Sequence, residues 1–259
     1  MEYYYPGKRF PAISVTGNYC EVMCPHCRGY YLESMIKAET PDRLVSVCKD
    51  LDENGAKGCL ISGGCDRTGR VPLPLEAVRV VREETDLILN LHTGLVDKET
   101  AETLGCIDCY ISFDVPTPFA LTHLYRLPVT QEEYFESLNL LEGLKVVPHV
   151  MVGLESEGEV RTIEVIKEMG FSSLVLIVFT PTRKTPLGRR HVNDVTEIFQ
   201  KARALFPRLI LGCMRPREKS LEEDVAVFDG IVLPTRWARE RVETLGLPVE
   251  VKETCCVVE

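Results

Sequence analysis

Ala12-Ile-Ser-Val-Thr16 is a short apolar run that leads through three residues into Cys20-Glu-Val-Met-Cys24-Pro-His-Cys27. The run suits a buried strand, and the loop after it carries cysteines at C-x3-C-x2-C spacing. A [4Fe–4S] cluster takes four ligands, so three thiolates leave one iron open to a small molecule. The alternatives are zinc, which takes paired C-x2-C units or histidines at set spacings, and three thiols brought together by chance. A loop that follows a strand of a parallel α/β fold stands at the catalytic face, beyond the carboxyl ends of the strands.

The rest of the 259 residues repeats the strand–loop–helix unit. Apolar runs near 12–16, 58–63, 87–92, 108–113, 146–152, 174–179, 208–213 and 230–233 alternate with helical patterns. That alternation predicts eight βα units and a parallel sheet. Thr40-Pro41 reads as an N-cap followed by proline at the first helical position, and Thr130-x-x-Glu133 and Ser156-x-x-Glu159 read as capping boxes. Thr235 caps a last helix that ends near Gly246. With no internal repeat, low-complexity tract or linker, residues 1–259 read as one domain. The fold class is α/β, a (β/α)8 TIM-type barrel of the usual size of ~250 residues, with an open six-unit barrel as the alternative. Residues 247–259 follow as a cysteine-bearing tail in which Val249-Glu-Val-Lys alternates like an extended segment. Its ten residues up to Cys256 span roughly 33 Å when extended, enough to return over the catalytic face.

Composition narrows the setting. The longest unbroken apolar run, Leu174 to Phe179, is too short to cross a bilayer, and the N-terminal ten residues hold no apolar signal region. A cytoplasmic, reducing location follows, where eleven cysteines bind metal or react rather than form disulfides. A net charge of −9 argues against nucleic acid as a partner. Arg183, Lys184, Arg189, Arg190 and His191 form the most basic stretch, either a solvated loop or an attractor for a carboxylate or an acidic carrier domain. His92, at the end of the third strand, is a substrate-contact candidate or a satisfied core histidine. Ser112 and Asp114 lie two apart on the fourth strand and so share a face.

The stretch from Ser14 to Cys27 resembles the signature of the radical S-adenosylmethionine (SAM) enzymes, with His26 where an aromatic residue usually sits. The resemblance implies that Cys20, Cys24 and Cys27 hold a [4Fe–4S] cluster whose open iron chelates SAM. An electron from the cluster then cleaves SAM to a 5′-deoxyadenosyl radical. It also implies that Ser62, Gly63 and Gly64 meet the SAM amino group, although Cys65 stands where an acidic residue usually follows. Ser112 and Asp114 would take the ribose hydroxyls, and Gly153 and Leu154 would pack on the adenine.

In order, these segments resemble biotin synthase and its relatives over nearly the whole chain. Ser112-Phe-Asp114 sits where that enzyme has Asn-Leu-Asp, Arg183-Lys-Thr-Pro-Leu187 where it has Lys-Gly-Thr-Pro-Leu, and Arg208-Leu-Ile-Leu-Gly-Cys213 where it has Arg-Leu-Ser-Ala-Gly-Arg. Its second cluster uses three cysteines and that arginine. Here the corresponding positions are Leu60, Leu89, Val147 and Cys213, so that cluster cannot form in the same way. Cys65 and Cys213 at the catalytic ends of strands, with Cys255 and Cys256 of the tail, are the candidate ligands of a second iron–sulfur cluster; the other reading of the tail is a frayed end with two exposed thiols. Cys48, Cys59, Cys106 and Cys109 read as buried apolar residues, with Cys106-x-x-Cys109 alternatively a redox or metal pair.

The combination resembles the archaeal biotin-synthase-like radical SAM proteins, among them the two-component lipoyl synthase subunits. That resemblance implies sulfur addition to an octanoyl chain on a carrier-protein lysine, with the auxiliary cluster consumed as sulfur donor; Arg183 of the basic loop and His92 are the substrate-contact candidates read from their own positions. The partners it implies are a lipoyl carrier domain, a second radical SAM subunit and an electron donor. The alternatives are a biotin-synthase-like enzyme acting on a free small molecule, and a non-catalytic iron–sulfur protein.

Overall fold

Leu174, Val175, Leu176, Ile177 and Val178 are consecutive and all buried, as a parallel strand covered on both faces requires. In the computed structural model, which describes residues 1–182, 185–187 and 194–258, each apolar run becomes such a strand. Eleven strands are found among the described residues: β1 (Glu2–Tyr4), β2 (Ala12–Ser14), β3 (Ile36–Lys37), β4 (Gly58–Ser62), β5 (Ile88–His92), β6 (Tyr110–Asp114), β7 (Lys145–Val152), β8 (Ser173–Val178), β9 (Arg208–Leu211), β10 (Gly230–Val232) and β11 (Glu250–Lys252). The helices between them are α1 (Pro41–Glu53), α2 (Leu75–Glu84), α3 (Lys98–Gly105), α4 (Pro118–Ala120), α5 (Gln131–Leu140), α6 (Ser156–Glu168), α7 (Thr196–Leu205), α8 (Lys219–Glu222) and α9 (Arg236–Thr244).

The strands form one sheet in the order β11-β1-β10-β9-β8-β7-β6-β5-β4-β2-β3, and every ladder is parallel. The eight strands read from the sequence, β2 and β4–β10, follow chain order, so the TIM-type α/β arrangement is the one expected. The sheet curls but is not closed by a ladder between β2 and β10. Three short strands occupy its edges instead: β3 beside β2, and β1 beside β10 with β11 beyond it. β1 and β3 show no period in the sequence, being three and two residues long, whereas β11 is the extended segment read from Val249-Glu-Val-Lys. β1 is held by its side chains: the Tyr4 hydroxyl donates to Glu2 (2.6 Å), Arg208 donates to the Tyr4 oxygen (2.7 Å), and Glu2 pairs with Arg208 and Lys252.

Alternation along each strand sorts the core in two. Leu89, Leu91, Ile111, Val150, Leu174 and Leu176 pack outward among helix residues such as Val78, Leu138 and Ile163. Leu60, Ile88, Tyr110, Val147, Val175 and Ile210 point into the lumen, where Cys256, Val257 and Val258 of the tail join them. Among the described residues no helix is long and apolar enough to cross a membrane.

The caps follow the sequence with one exception. Thr40 accepts from the Arg43 N–H, Thr130 and Glu133 form a complete capping box, and Thr235 accepts from the Ala238 N–H. Ser156 instead begins α6, with Glu155 at the N-cap, and Glu159 turns back to a different task described below. At the carboxyl ends of β9 and β10 the fully buried Arg215 and Glu222 pair at 2.7 Å. Arg215 also donates to the carbonyls of Gly212 and Val232, and Glu222 accepts from the Thr235 N–H and hydroxyl. Removing one partner of such a pair strands the other charge. Glu222→Ala is therefore expected to cost about 3–5 kcal/mol, against about 1 kcal/mol for Thr130→Ala, read as shifts of the urea midpoint at unchanged slope.

Candidate active site

The cysteine loop begins where β2 ends. The Ser14 hydroxyl donates to the Gly17 carbonyl (2.7 Å), and the Thr16 hydroxyl donates to Tyr19 O (2.8 Å) while accepting from the Gly64 N–H (2.7 Å). The Glu21 N–H reaches Cys65 O at 3.0 Å. The loop thus lies directly on the end of β4. Gly64 makes this possible: a Cβ there would stand 2.2 Å from Tyr19 O and 2.5 Å from the Cys20 Cα. Met23 and Arg28, at φ of 46° and 49°, take the left-handed turns that bring the three cysteines round.

Cys24 is buried, and Cys20 and Cys27 are half-buried. The neighbouring Cys24 thiol and the Gly29 N–H lower the Cys27 pKa to about 7, against burial, while the pKa of Cys24 moves up beside Cys27. Three thiols in one loop, one of them poised to ionise, suit a cluster that takes three thiolates. His26 is buried against Tyr125 and Phe179, its carbonyl accepts from the Thr182 N–H and hydroxyl, and its Nδ1 has no hydrogen-bond partner among the described residues. Burial lowers the His26 pKa to about 4. Among the described residues no three His, Cys, Asp or Glu side chains converge on a single metal ion. A cluster asks for less, since each thiolate meets its own iron.

The SAM-contact candidates border this loop. Ser62 is buried at the end of β4, and Gly63 lies where a Cβ would crowd the Thr16 side chain at 3.1–3.2 Å. Ser112 faces the lumen as expected, but its hydroxyl already hydrogen-bonds the Asn90 amide (3.0–3.1 Å). Asp114, one step further along β6, is exposed. Gly153 and Leu154 form a turn at the end of β7, with Gly153 at φ 95°. The buried Glu159 carboxylate accepts from the N–H groups of Gly153 (3.0 Å), Leu154 (2.7 Å) and Glu155 (2.9 Å). Burial raises the Glu159 pKa, against these three donors.

His92 lies in the lumen edge-on to His149, ring centroids 5.9 Å apart. With its Nδ1–H on the Val147 carbonyl (3.0 Å), His149 presents Nε2 as an acceptor. Burial lowers its pKa to about 4, opposed by Asp114. Arg183 lies outside the described residues, as do Lys184, Arg189, Arg190 and His191.

The four thiols read as one auxiliary set divide. The Cys65 thiol is pushed up to about 12 by burial and then by Cys20, Cys27 and Asp114, so it sits with the first loop. Cys255 and Cys256 come instead from the tail, with the Cys255 thiol on the Asn90 amide (3.3 Å) and Cys256 packed on the lumen wall. Cys213 is exposed just past β9, and its carbonyl accepts from Arg217 (3.0 Å). The tail takes a different route from the one expected. Glu253 pairs with Lys57 (3.1 Å), at the base of β4, and Val257 borders a cavity with Tyr110, Lys145, Val147 and Ser173, at the amino ends of β6, β7 and β8. It therefore enters the lumen from the mouth opposite the cysteine loop instead of crossing the catalytic face, and its thiols are not a frayed end. Of the positions aligned with the biotin synthase cluster, Leu60 and Val147 do face the lumen, but Leu89 packs outward and Asn90 takes the inward place.

Asn90, His149, Arg215 and Glu222 were not singled out by the sequence, and Glu159 was read as a helix cap rather than as the partner of the turn after β7. The signal for the first two was present, a polar residue inside an otherwise apolar strand. Arg215 and Glu222 carry no such mark, because their partners lie on other elements.

No protein-family model matches the chain, and no curated protein matches it. Solved structures do share its fold. Methylornithine synthase (PylB) superposes with a TM-score of 0.63 over 95% of this chain and 85% of its own, at 16% identity. Streptococcus suis SuiB bound to S-adenosylmethionine superposes with a TM-score of 0.55 over 96% of this chain, at 14% identity. The chain spans 52% of that SuiB structure.

Two outcomes follow from this geometry. Gly64→Ala is expected to displace the cysteine loop while leaving the sheet intact, so anaerobic reconstitution would yield less bound iron with an unchanged far-ultraviolet spectrum. A base whose pKa is depressed on folding holds fewer protons folded than unfolded. Stability should therefore fall as pH drops from about 6.5 towards about 4, by at most ~3 kcal/mol for His149, and His149→Gln should remove that share from acid titration curves.

Proposed function

We propose that this chain is a radical SAM enzyme of the sulfur-inserting kind, adding sulfur to an octanoyl chain on a carrier-protein lysine as a lipoyl synthase subunit does. The observation that carries the first half is the three-thiol loop, clamped by Gly64 over the carboxyl mouth of a curled parallel sheet of the fold that SuiB shows with SAM bound. Cys20, Cys24 and Cys27 would hold a four-iron cluster, which would supply the electron for the reductive cleavage of SAM.

The residues around it have distinct tasks. The Ser62–Gly64 backbone borders the loop where the SAM amino group would lie. Asp114 offers acceptor oxygens to ribose hydroxyls; Ser112, engaged by Asn90, does so less. Glu159 holds the Gly153-Leu154 turn in the shape that would meet the adenine. Below them the lumen is crossed by a belt of polar groups, Asn90, Ser112, His92 and His149, above the apolar lower wall that the tail covers.

The sulfur-insertion half rests on a second set of thiols. Cys213, Cys255 and Cys256, without Cys65, would hold the second iron–sulfur cluster that donates sulfur. A lipoyl carrier domain, a partner radical SAM subunit and an electron donor complete this reading, in the cytoplasm. The extent of the likeness to methylornithine synthase, 85% of that chain, favours a second reading in which the substrate is a free small molecule.

Anaerobically reconstituted protein with dithionite and SAM should release 5′-deoxyadenosine, and Cys20→Ala, Cys24→Ala and Cys27→Ala together should abolish it; no release under any reductant would sink the enzyme reading. Iron and sulfide analysis of the same triple variant tests the second cluster, with about four residual irons per chain expected. An octanoyl-lysine peptide should then yield a thiol-bearing product, and its absence while 5′-deoxyadenosine still forms would leave the small-molecule reading.

A further inference from the structure

A tail that enters the far mouth of the half-barrel changes what the lumen is. β11 pairs with β1 along Glu250–Lys252, and Glu253 is then tied to Lys57 and Arg9. Beyond it the chain turns inward, with the Val258 N–H on the Cys255 carbonyl (3.1 Å). Val257 is 1% exposed, and Cys256 and Val258 are each 6% exposed. They pack on Leu60, Ile88, Tyr110, Val147, Val175 and Ile210, the lower lumen wall. The turn lifts the Cys255 thiol to mid-height, where the Asn90 amide donates to it at 3.3 Å. Asn90 is fully buried and is itself held by Ser112.

We propose that residues 253–258 form the floor of a chamber roofed by the Cys20/Cys24/Cys27 loop, and that Asn90 is the positioning residue that fixes the Cys255 thiol at the centre of that floor. The inference rests on reading the lumen as the reaction chamber. An amide in a wholly buried site would otherwise be a costly choice, and among the described residues its one side-chain hydrogen bond from outside the sheet is to the tail thiol. Cys255 then faces whatever occupies the chamber, at a depth set by the Asn90–Ser112 pair. A substrate reaching it must enter through the mouth that carries the three-cysteine loop, because the tail fills the other.

Site-resolved maleimide labelling of the protein before any iron–sulfur reconstitution, so that no thiol is masked by a cluster, quantified by peptide mass spectrometry, tests this with the exposed Cys106 as internal reference. In the wild type Cys255 should label at least on the order of tenfold more slowly than Cys106, and Asn90→Ala should raise the Cys255-to-Cys106 ratio several-fold while the ratio for buried Cys48 stays unchanged. A general loosening of the fold would raise both ratios. Labelling of Cys255 as fast as Cys106 in the wild type, or a ratio unmoved by Asn90→Ala, would overturn the assignment. If Asn90→Ala does not fold, hydrogen exchange on the wild type decides the floor: amides of 256–258 should exchange as slowly as those of β5, and exchange within seconds would refute it. Neither measurement depends on SAM cleavage. A chain that makes no 5′-deoxyadenosine but keeps the labelling pattern would lose the enzyme reading and retain the floor.

Discussion

A curled parallel sheet encloses an interior that must be filled with side chains or left to water. Strand residues alone do not fill this one, since the inward places of β4–β10 hold serine, asparagine, histidine and glycine as well as leucine and valine. The chain supplies the missing volume from its own end. Cys256, Val257 and Val258 occupy the amino half of the lumen, and the polar belt is left in the carboxyl half, beneath the cysteine loop. Burying residues of this size contributes about 1.5 kcal/mol or more each, which offsets the ordering of a segment that would otherwise fray.

The carboxyl half is built from polar contacts that reach between elements. Glycine at position 64 lets the loop backbone touch the end of β4, Glu159 gathers three N–H groups that a turn would leave unpaired, and Arg215 with Glu222 ties β9, β10 and the start of α9 together. A buried ion pair adds little net stability over an apolar substitute. Its effect here is geometric: Arg215 satisfies the carbonyls of Gly212 and Val232 at once, so the loop bearing Cys213 keeps a fixed relation to the end of β10.

Much of this was legible in the residues. The eight main strands stood out because parallel strands buried on both faces are continuous apolar runs, and three of four capping signals acted as read. Ser156-x-x-Glu159 misled because a carboxylate three residues into a helix can serve a preceding turn as well as its own cap. The short edge strands β1 and β3 left no pattern, being ordered by pairing and by contacts such as Glu2 with Arg208 across 206 positions of chain, whereas β11 was legible in the alternation of Val249-Glu-Val-Lys. The alternation on β5 was visible in Ile88-Leu-Asn-Leu-His92, yet only the sheet showed that Asn90, not Leu89, looks inward.

Three cysteines within eight residues stay together in any fold, because thiol spacing is a local property, so their grouping was legible in the residues alone. So was the class of fold, because burial on both faces must be written into each strand. The places of the other thiols depend on contacts between distant elements. A ten-residue tail is long enough to reach either mouth of the lumen, and its length holds no direction. The apolar lower wall, the Lys57–Glu253 pair and the Asn90 amide set that direction, and with it place Cys255 and Cys256 in the lumen, apart from Cys65 at the end of β4.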